Sequence, residues 1–161
     1  SEERIYFYPR SGFKEYLNLY NQVDCCLDTF PYTGGTTTFH GLWMGVPTLT
    51  MIGKNYSSYQ GKMIMRQFGL DDYFVAHNNQ DFLEKAEFIA NNKDFLRKIR
   101  CELRDYLFSS YDESVKGCVA GFSYAMRLVW ENWCKNKPKK DISILEEDIG
   151  INIKTPNWLN F

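Results

Sequence analysis

The chain has 161 residues, 44% of them apolar and 24% charged, which is enough for one compact domain with a real core. Its 19 basic and 20 acidic side chains leave a net charge of -1, which argues against a nucleic-acid binder and gives no polybasic membrane signal. No run of 18 apolar residues occurs, so a transmembrane helix is excluded, and Ser1-Glu2-Glu3-Arg4 does not read as a signal peptide.

In chain order, Ile5 to Tyr8 is a short β-rich run closed by Pro9 and reads as a strand. Ser11 can cap the next segment. Phe13, Tyr16, Leu17 and Tyr20 recur at helical spacing and predict an amphipathic helix over residues 12–21. Val23 to Thr29 is compact and mostly apolar, and reads as a buried strand. A turn-rich loop, Phe30 to Gly35, follows. Helical spacing returns from Thr36 through Phe39, Leu42 and Trp43, and Gly45 stops it. Val46 to Met51 is a further strand, with Pro47 tolerable near its start. Strand, helix, strand, helix, strand at this spacing predicts an α/β fold with a parallel sheet.

The later chain reads as mostly helical. Residues 57–68 predict a helix ending at Gly69, and Tyr73 to Val75 a last short strand. Asp81 to Ala90 and Asp94 to Leu107 predict two helices broken at Asn91-Asn92, with Asn92 as cap of the second. A long helix is expected from about Glu113 to Lys135. Val115, Cys118, Val119, Phe122, Met126, Val129, Trp130 and Trp133 form its apolar stripe, read as core or interface. Lys135 to Lys140 is a basic linker, and the tail from Asp141 to Phe161 carries no assignable role. Cys25, Cys26, Cys101, Cys118 and Cys134 mostly sit in apolar-patterned segments and are expected to be buried thiols in a reducing compartment. With no CxxC or HxxxH spacing, and only His40 and His77 as imidazoles, a zinc site is not expected.

One segment carries chemistry. Gly34-Gly35-Thr36-Thr37-Thr38 stands between an expected strand and an expected helix. Glycines admit close approach of a ligand to the backbone, and a helix start offers unpaired N–H groups at the positive end of a dipole. Threonine hydroxyls add donors. The combination is an anion cradle at the carboxyl end of a strand, suited to a phosphate or diphosphate. The same residues could equally make a tight turn and a helix cap. Neither GxxxxGK[ST] nor G-x-G-x-x-G is present. Asp28, following the strand, reads as a cap of the loop through its carboxylate.

The run DTFPYTGGTTTFHGLWMGVPTLT resembles the donor-binding segment of the O-GlcNAc transferase family, glycosyltransferase family 41, in its bacterial and SPINDLY-like, TPR-linked members. The match is dense from Asn21 to Thr50 and looser through Gly53-Lys54 and Ser57-Ser58. The resemblance implies a GT-B enzyme of two Rossmann-like lobes. This chain would be most of the carboxy-terminal, nucleotide-sugar-binding lobe, over residues 1–135, with residues 136–161 as linker and tail. The chain begins at Ser1 rather than Met, which reads as a piece of a longer protein. The lobe's first strand-helix-strand portion, a diphosphate-neutralising lysine and the amino-terminal lobe would then lie outside it.

Carried over by position, Thr36 and Thr37 match family threonines that bond the diphosphate, and Gly34 and Gly35 shape the loop. His40 stands where the family has Asp or Glu at the ribose, and Tyr16 where it has His beside the uracil. Leu19 and Tyr59 stand at or near family arginines. Lys54 could replace part of the missing positive charge. The implied function is transfer of GlcNAc or another hexose from a UDP donor to a protein side chain, without a metal or other cofactor. The implied setting is cytoplasmic. The isolated chain is expected to bind UDP weakly, to be inactive alone, and to expose apolar surface that favours self-association. Its partners would be the UDP-sugar and, through the absent parts, a protein acceptor. The alternative, from a different class, is a degenerate scaffold module that keeps the fold without using a donor.

Overall fold

A computed structural model of the chain describes residues 4–150. They form two compact units divided between Arg104 and Asp105. The first holds α1 (Phe13–Leu19), a 3-10 turn (Tyr20–Gln22), β1 (Cys26–Leu27), α2 (Thr36–Trp43), β2 (Thr48–Met51), α3 (Tyr56–Gln67), α4 (Asp71–Phe74), β3 (Val75–Ala76) and α5 (Asn79–Asn91). Helix α6 (Lys93–Cys134) runs through the division, and α7 (Glu146–Ile149) belongs to the second unit.

The sheet is parallel, in the order β1-β2-β3, as the alternation of elements predicts. Cys26 pairs with Thr48 and Leu27 with Leu49; Thr50 pairs with Val75 and Met51 with Ala76. β2 is central, and Thr48, Leu49 and Thr50 are all buried. Leu42 and Val46, Met65 from α3, Phe74 from α4, and Ile99 and Leu103 from α6 are fully buried as well. Helix stops fall where the glycines predict them. Gly45 and Gly69 take φ of +74° and +65°, a region closed to most side chains.

Four expectations need correction. Ile5 to Tyr8 forms no strand among the described residues; all four side chains are exposed, and Tyr8 instead donates its hydroxyl to Gln22 Oε1 at 3.1 Å. The segment from Val23 to Thr29 contributes only a two-residue strand, and that strand is not buried: Leu27 is 68% exposed. β1 lies at the edge of the described sheet and is covered by a neighbour on one side only. The two helices expected on either side of residues 108–112 are one continuous helix, α6. Phe108-Ser109-Ser110-Tyr111-Asp112 contains neither Gly nor Pro to end it. Tyr73 and Phe74, expected in a strand, end helix α4 instead, and β3 begins at Val75. Asn92 does stand at the start of α6, where its carbonyl accepts the Leu96 N–H at 3.3 Å, while its side-chain amide donates back to Phe88 O at 2.7 Å.

The stripe on α6 is real in its spacing, but Phe122, Trp130 and Trp133 stand exposed, so among the described residues it is not core. The tail residues Pro156-Asn157-Trp158 lie outside the described residues.

The cysteines are likewise less buried than their apolar neighbours suggest. Cys101, Cys118 and Cys134 are exposed, and Cys25 and Cys26 are half-buried. Burial, followed by the charges of Cys26 and Asp24, pushes the Cys25 thiol up to about 12. Cys26 is raised by burial and then by Asp28. A raised pKa lowers the reactive thiolate fraction at any given pH. With a disulfide reagent at pH 8, three thiols are therefore expected to react in a fast phase and two at least tenfold more slowly. Five equivalent thiols would refute this ranking.

Candidate functional site

In a parallel sheet all strands finish at one edge. Asp28 follows β1 there, Ile52-Gly53-Lys54 follows β2, and His77 follows β3. The loop from Thr29 to Gly35 leaves this edge and enters α2.

The loop is fastened at both sides. Asp28 Oδ1 accepts the Gly34 N–H at 2.7 Å and the Thr29 N–H at 3.0 Å, the capping role expected of it. Thr29 Oγ1 donates to Tyr32 O at 2.6 Å. On the other side Thr33 is fully buried. Both its N–H and its hydroxyl donate to Ser57 O at 2.9 Å, and its oxygen accepts the Gly61 N–H at 3.0 Å. These bonds tie the loop to the first turns of α3. That helix begins with Asn55 and Ser58 bonded to one another: Ser58 Oγ accepts the Asn55 N–H at 3.1 Å and donates to Asn55 O at 2.9 Å.

The two glycines are closely walled by side chains, Gly34 by the threonines of α2 and Gly35 by the end of Gln60, which is free to turn away. A Cβ at Gly34 would lie 2.6 Å from Thr38 Oγ1 and 3.0 Å from Thr37 Oγ1. One at Gly35 would lie 2.9 Å from the Gln60 amide nitrogen. Helix α2 starts without a side-chain cap, and its first backbone bond runs from Phe39 N–H to Gly35 O at 3.2 Å. The N–H groups just before Phe39 are the orphan donors of a helix start. Thr36 and Thr37 are exposed there, whereas Thr38 is buried.

His40 and Tyr16 meet, although 24 residues separate them. The Tyr16 hydroxyl lies 3.4 Å from His40 Nδ1 and 2.5 Å from the Tyr20 hydroxyl, which donates to Thr37 O at 3.3 Å. The imidazole also packs edge-on against Phe13 and Tyr16. Burial, then the bond and charge of Tyr16, hold the Tyr20 phenol protonated well above its ordinary range. A cavity of about 580 Å³ opens beside this cluster, lined by Tyr6, Tyr8, Tyr16, Leu19, Tyr20, Gln22 and Val23. Lys54 is exposed on the same sheet edge, in the loop after β2.

The structure thus brings six of the seven expected residues into two adjoining groups. Gly34, Gly35, Thr36 and Thr37 form the loop and helix start, and Tyr16 and His40 meet above the next turn of α2. Lys54 joins neither through a hydrogen bond or ion pair among the described residues. Sequence reasoning missed Tyr20, which links the groups, and Gln60, which walls Gly35. Tyr20 was visible only as one more apolar position of the helix expected over residues 12–21, and nothing in the sequence places Gln60 near the loop. Among the described residues no three His, Cys, Asp or Glu side chains gather as a metal site requires.

The profile of glycosyl transferase family 41 matches residues 1–118. Among curated proteins, the chain is 32% identical over 123 residues to an Arabidopsis thaliana protein named probable UDP-N-acetylglucosamine--peptide N-acetylglucosaminyltransferase SPINDLY. That alignment covers 76% of the chain and 13% of the relative. The SPINDLY protein of Hordeum vulgare is 31% identical over 120 residues, covering 74% of the chain and 13% of the relative. Among solved structures, a mutant O-GlcNAc transferase of Thermobaculum terrenum shares the fold with a TM-score of 0.57 and 32% identity, over 63% of this chain and 19% of that one. The chain therefore spans about an eighth of the length of these curated relatives. No helix among the described residues is long and apolar enough to cross a membrane.

Proposed function

The chain belongs to glycosyl transferase family 41, and from that membership we propose that it is the donor-binding part of a cytoplasmic enzyme that transfers GlcNAc or another hexose from UDP to a protein side chain. The whole enzyme on this reading is a TPR-linked GT-B transferase, and the chain alone does not turn over. The observation that carries the reading is the fastened loop and helix start at Gly34–Thr37, set at the carboxyl edge of a parallel sheet. Such an edge is where open α/β folds place phosphate ligands.

In the mechanism this implies, the sugar–phosphate bond breaks and negative charge grows on the departing diphosphate. Donors already in position meet that charge without reorganising. Here they are the first-turn N–H groups of α2 and the hydroxyls of Thr36 and Thr37, with Lys54 adding positive charge at the same edge. No metal is assigned a part. The base and ribose fall to the Tyr16–His40 side. An imidazole such as that of His40 offers the ribose at most one acceptor nitrogen, where a carboxylate would offer two oxygens. The phenol ring of Tyr16 supplies an aromatic face for a base.

The test is an NMR titration of this chain with UDP, with ADP as control. Shifts are expected to cluster at Gly34–His40 and Tyr16 and to saturate near millimolar UDP, with ADP weaker. A wild-type chain unmoved at 10 mM UDP, roughly ten times the dissociation constant expected of half a site, would reject the donor-binding reading in favour of the scaffold.

A further inference from the structure

We propose that Asp28 is a positioning residue for the anion loop, holding the Gly34 N–H inward so that the orphan donors from Gly35 onward are the ones left for a diphosphate. The proposal rests on the donor-binding reading above and adds to it a residue that touches no ligand.

The argument begins with the sheet. Asp28 is the first residue past β1, and its own N–H still donates to Leu49 O at 2.9 Å. Its backbone is therefore fixed by the ladder, not by the loop. The carboxylate then reaches over the loop to Gly34, six residues on, at 2.7 Å. A bond of this length from an N–H to an ionised oxygen is charge-assisted and stronger than a neutral one.

The other oxygen shows where the carboxylate is seated, at a desolvation cost that the bonds to Oδ1 offset. Asp28 Oδ2 is buried and has no hydrogen-bond partner among the described residues, and the same holds for Thr50 Oγ1. Both border Gly61: a Cβ there would lie 2.8 Å from Oδ2 and 2.4 Å from Thr50 Oγ1. The carboxylate is seated against β2 and α3, with the loop bonded to one oxygen and the other closed in.

A negative charge beside an anion site repels the anion. Its presence here is accounted for by the bond it makes, not by its charge. That separation is testable, because asparagine keeps an acceptor oxygen and drops the charge, whereas alanine loses both.

The experiment titrates this chain and the variants Asp28→Asn and Asp28→Ala with UDP and with uridine, following the Gly34 amide. Asp28→Ala is expected to lose at least tenfold in UDP affinity, to leave uridine affinity within twofold, and to shift the Gly34 amide upfield. Asp28→Asn is expected to bind UDP within threefold of wild type or more tightly. Equal UDP affinity in wild type and a folded Asp28→Ala overturns the proposal while leaving the donor site intact. If Asp28→Ala does not fold, Asp28→Asn decides, and a tenfold loss there overturns it. A wild type that binds no UDP removes the donor-site reading itself, and this proposal with it.

Discussion

Replacing Gly45 with alanine is expected to lower the thermal midpoint of the chain by roughly 10–20 °C. Two effects add. Gly45 has φ +74°, where an L side chain costs about 1–2 kcal/mol. The new Cβ would also lie 2.8 Å from Arg100 O and 3.0 Å from Arg100 Cα, both backbone atoms of α6 that cannot yield independently. Overpacking of this kind costs ~1–3 kcal/mol. At about 4–8 °C per kcal/mol for a unit near 100 residues, even the lower sum is a large shift. Gly12→Ala is the control. Its Cβ would meet only the carboxylate end of Glu15, which is free to turn away, so its midpoint should stay within about 2 °C of wild type. Circular dichroism melts of the two variants check the account, and similar midpoints for both would contradict it.

The second large effect concerns binding. The double substitution Thr36→Val and Thr37→Val is close to isosteric and removes both exposed hydroxyls at the start of α2. A hydrogen bond to a charged group contributes about 1.5–3 kcal/mol, so losing two is expected to weaken UDP binding on the order of 100-fold or more. For a chain that binds UDP near the millimolar range, saturation would then be out of reach. Valine and threonine have similar helix propensities, so α2 should persist. Thr36→Ser with Thr37→Ser keeps the hydroxyls and should stay within about fivefold of wild type, a difference of ~1 kcal/mol. Isothermal titration or NMR reads the outcome. Wild-type affinity in the valine pair would mean that the backbone donors alone hold the anion.

What the sequence revealed, and what it hid, follows from how local each feature is. Gly45 and Gly69 end helices through their own φ, so their role was legible from position. The Gly34–Thr37 loop was legible for the same reason, as was the capping by Asp28, whose partner is only six residues away. Burial is not local. Leu27 sits in an apolar run, yet it lies on an edge strand with a neighbour on one side. The α6 stripe has the spacing of a core helix, yet spacing fixes which side chains share a face and not what covers it. Tyr20 and Gln60 reach the loop by tertiary packing across tens of residues, which periodicity cannot report. His40 met Tyr16 for the same reason: α1 and α2 dock, and no local pattern says where.

Arg100 gives the order in which these parts can settle. One guanidinium donates to Tyr20 O at 3.3 Å, to Val23 O, and to Met44 O at 3.4 Å, joining the first turns of α6 to the ends of two much earlier helices. The Tyr20 contact spans 80 residues of chain. Closing a loop that long costs about 4 kcal/mol beyond a constant, roughly 1 kcal/mol more than the β1–β2 and β2–β3 crossovers. The bonds from Tyr20 to Thr37 and between Tyr16 and His40 close only 17 and 24 residues, so α1 can dock on α2 before α6 arrives. Arg100 is then the last clamp to close: it locks the aromatic side of the site to α6 after nearer bonds have formed it.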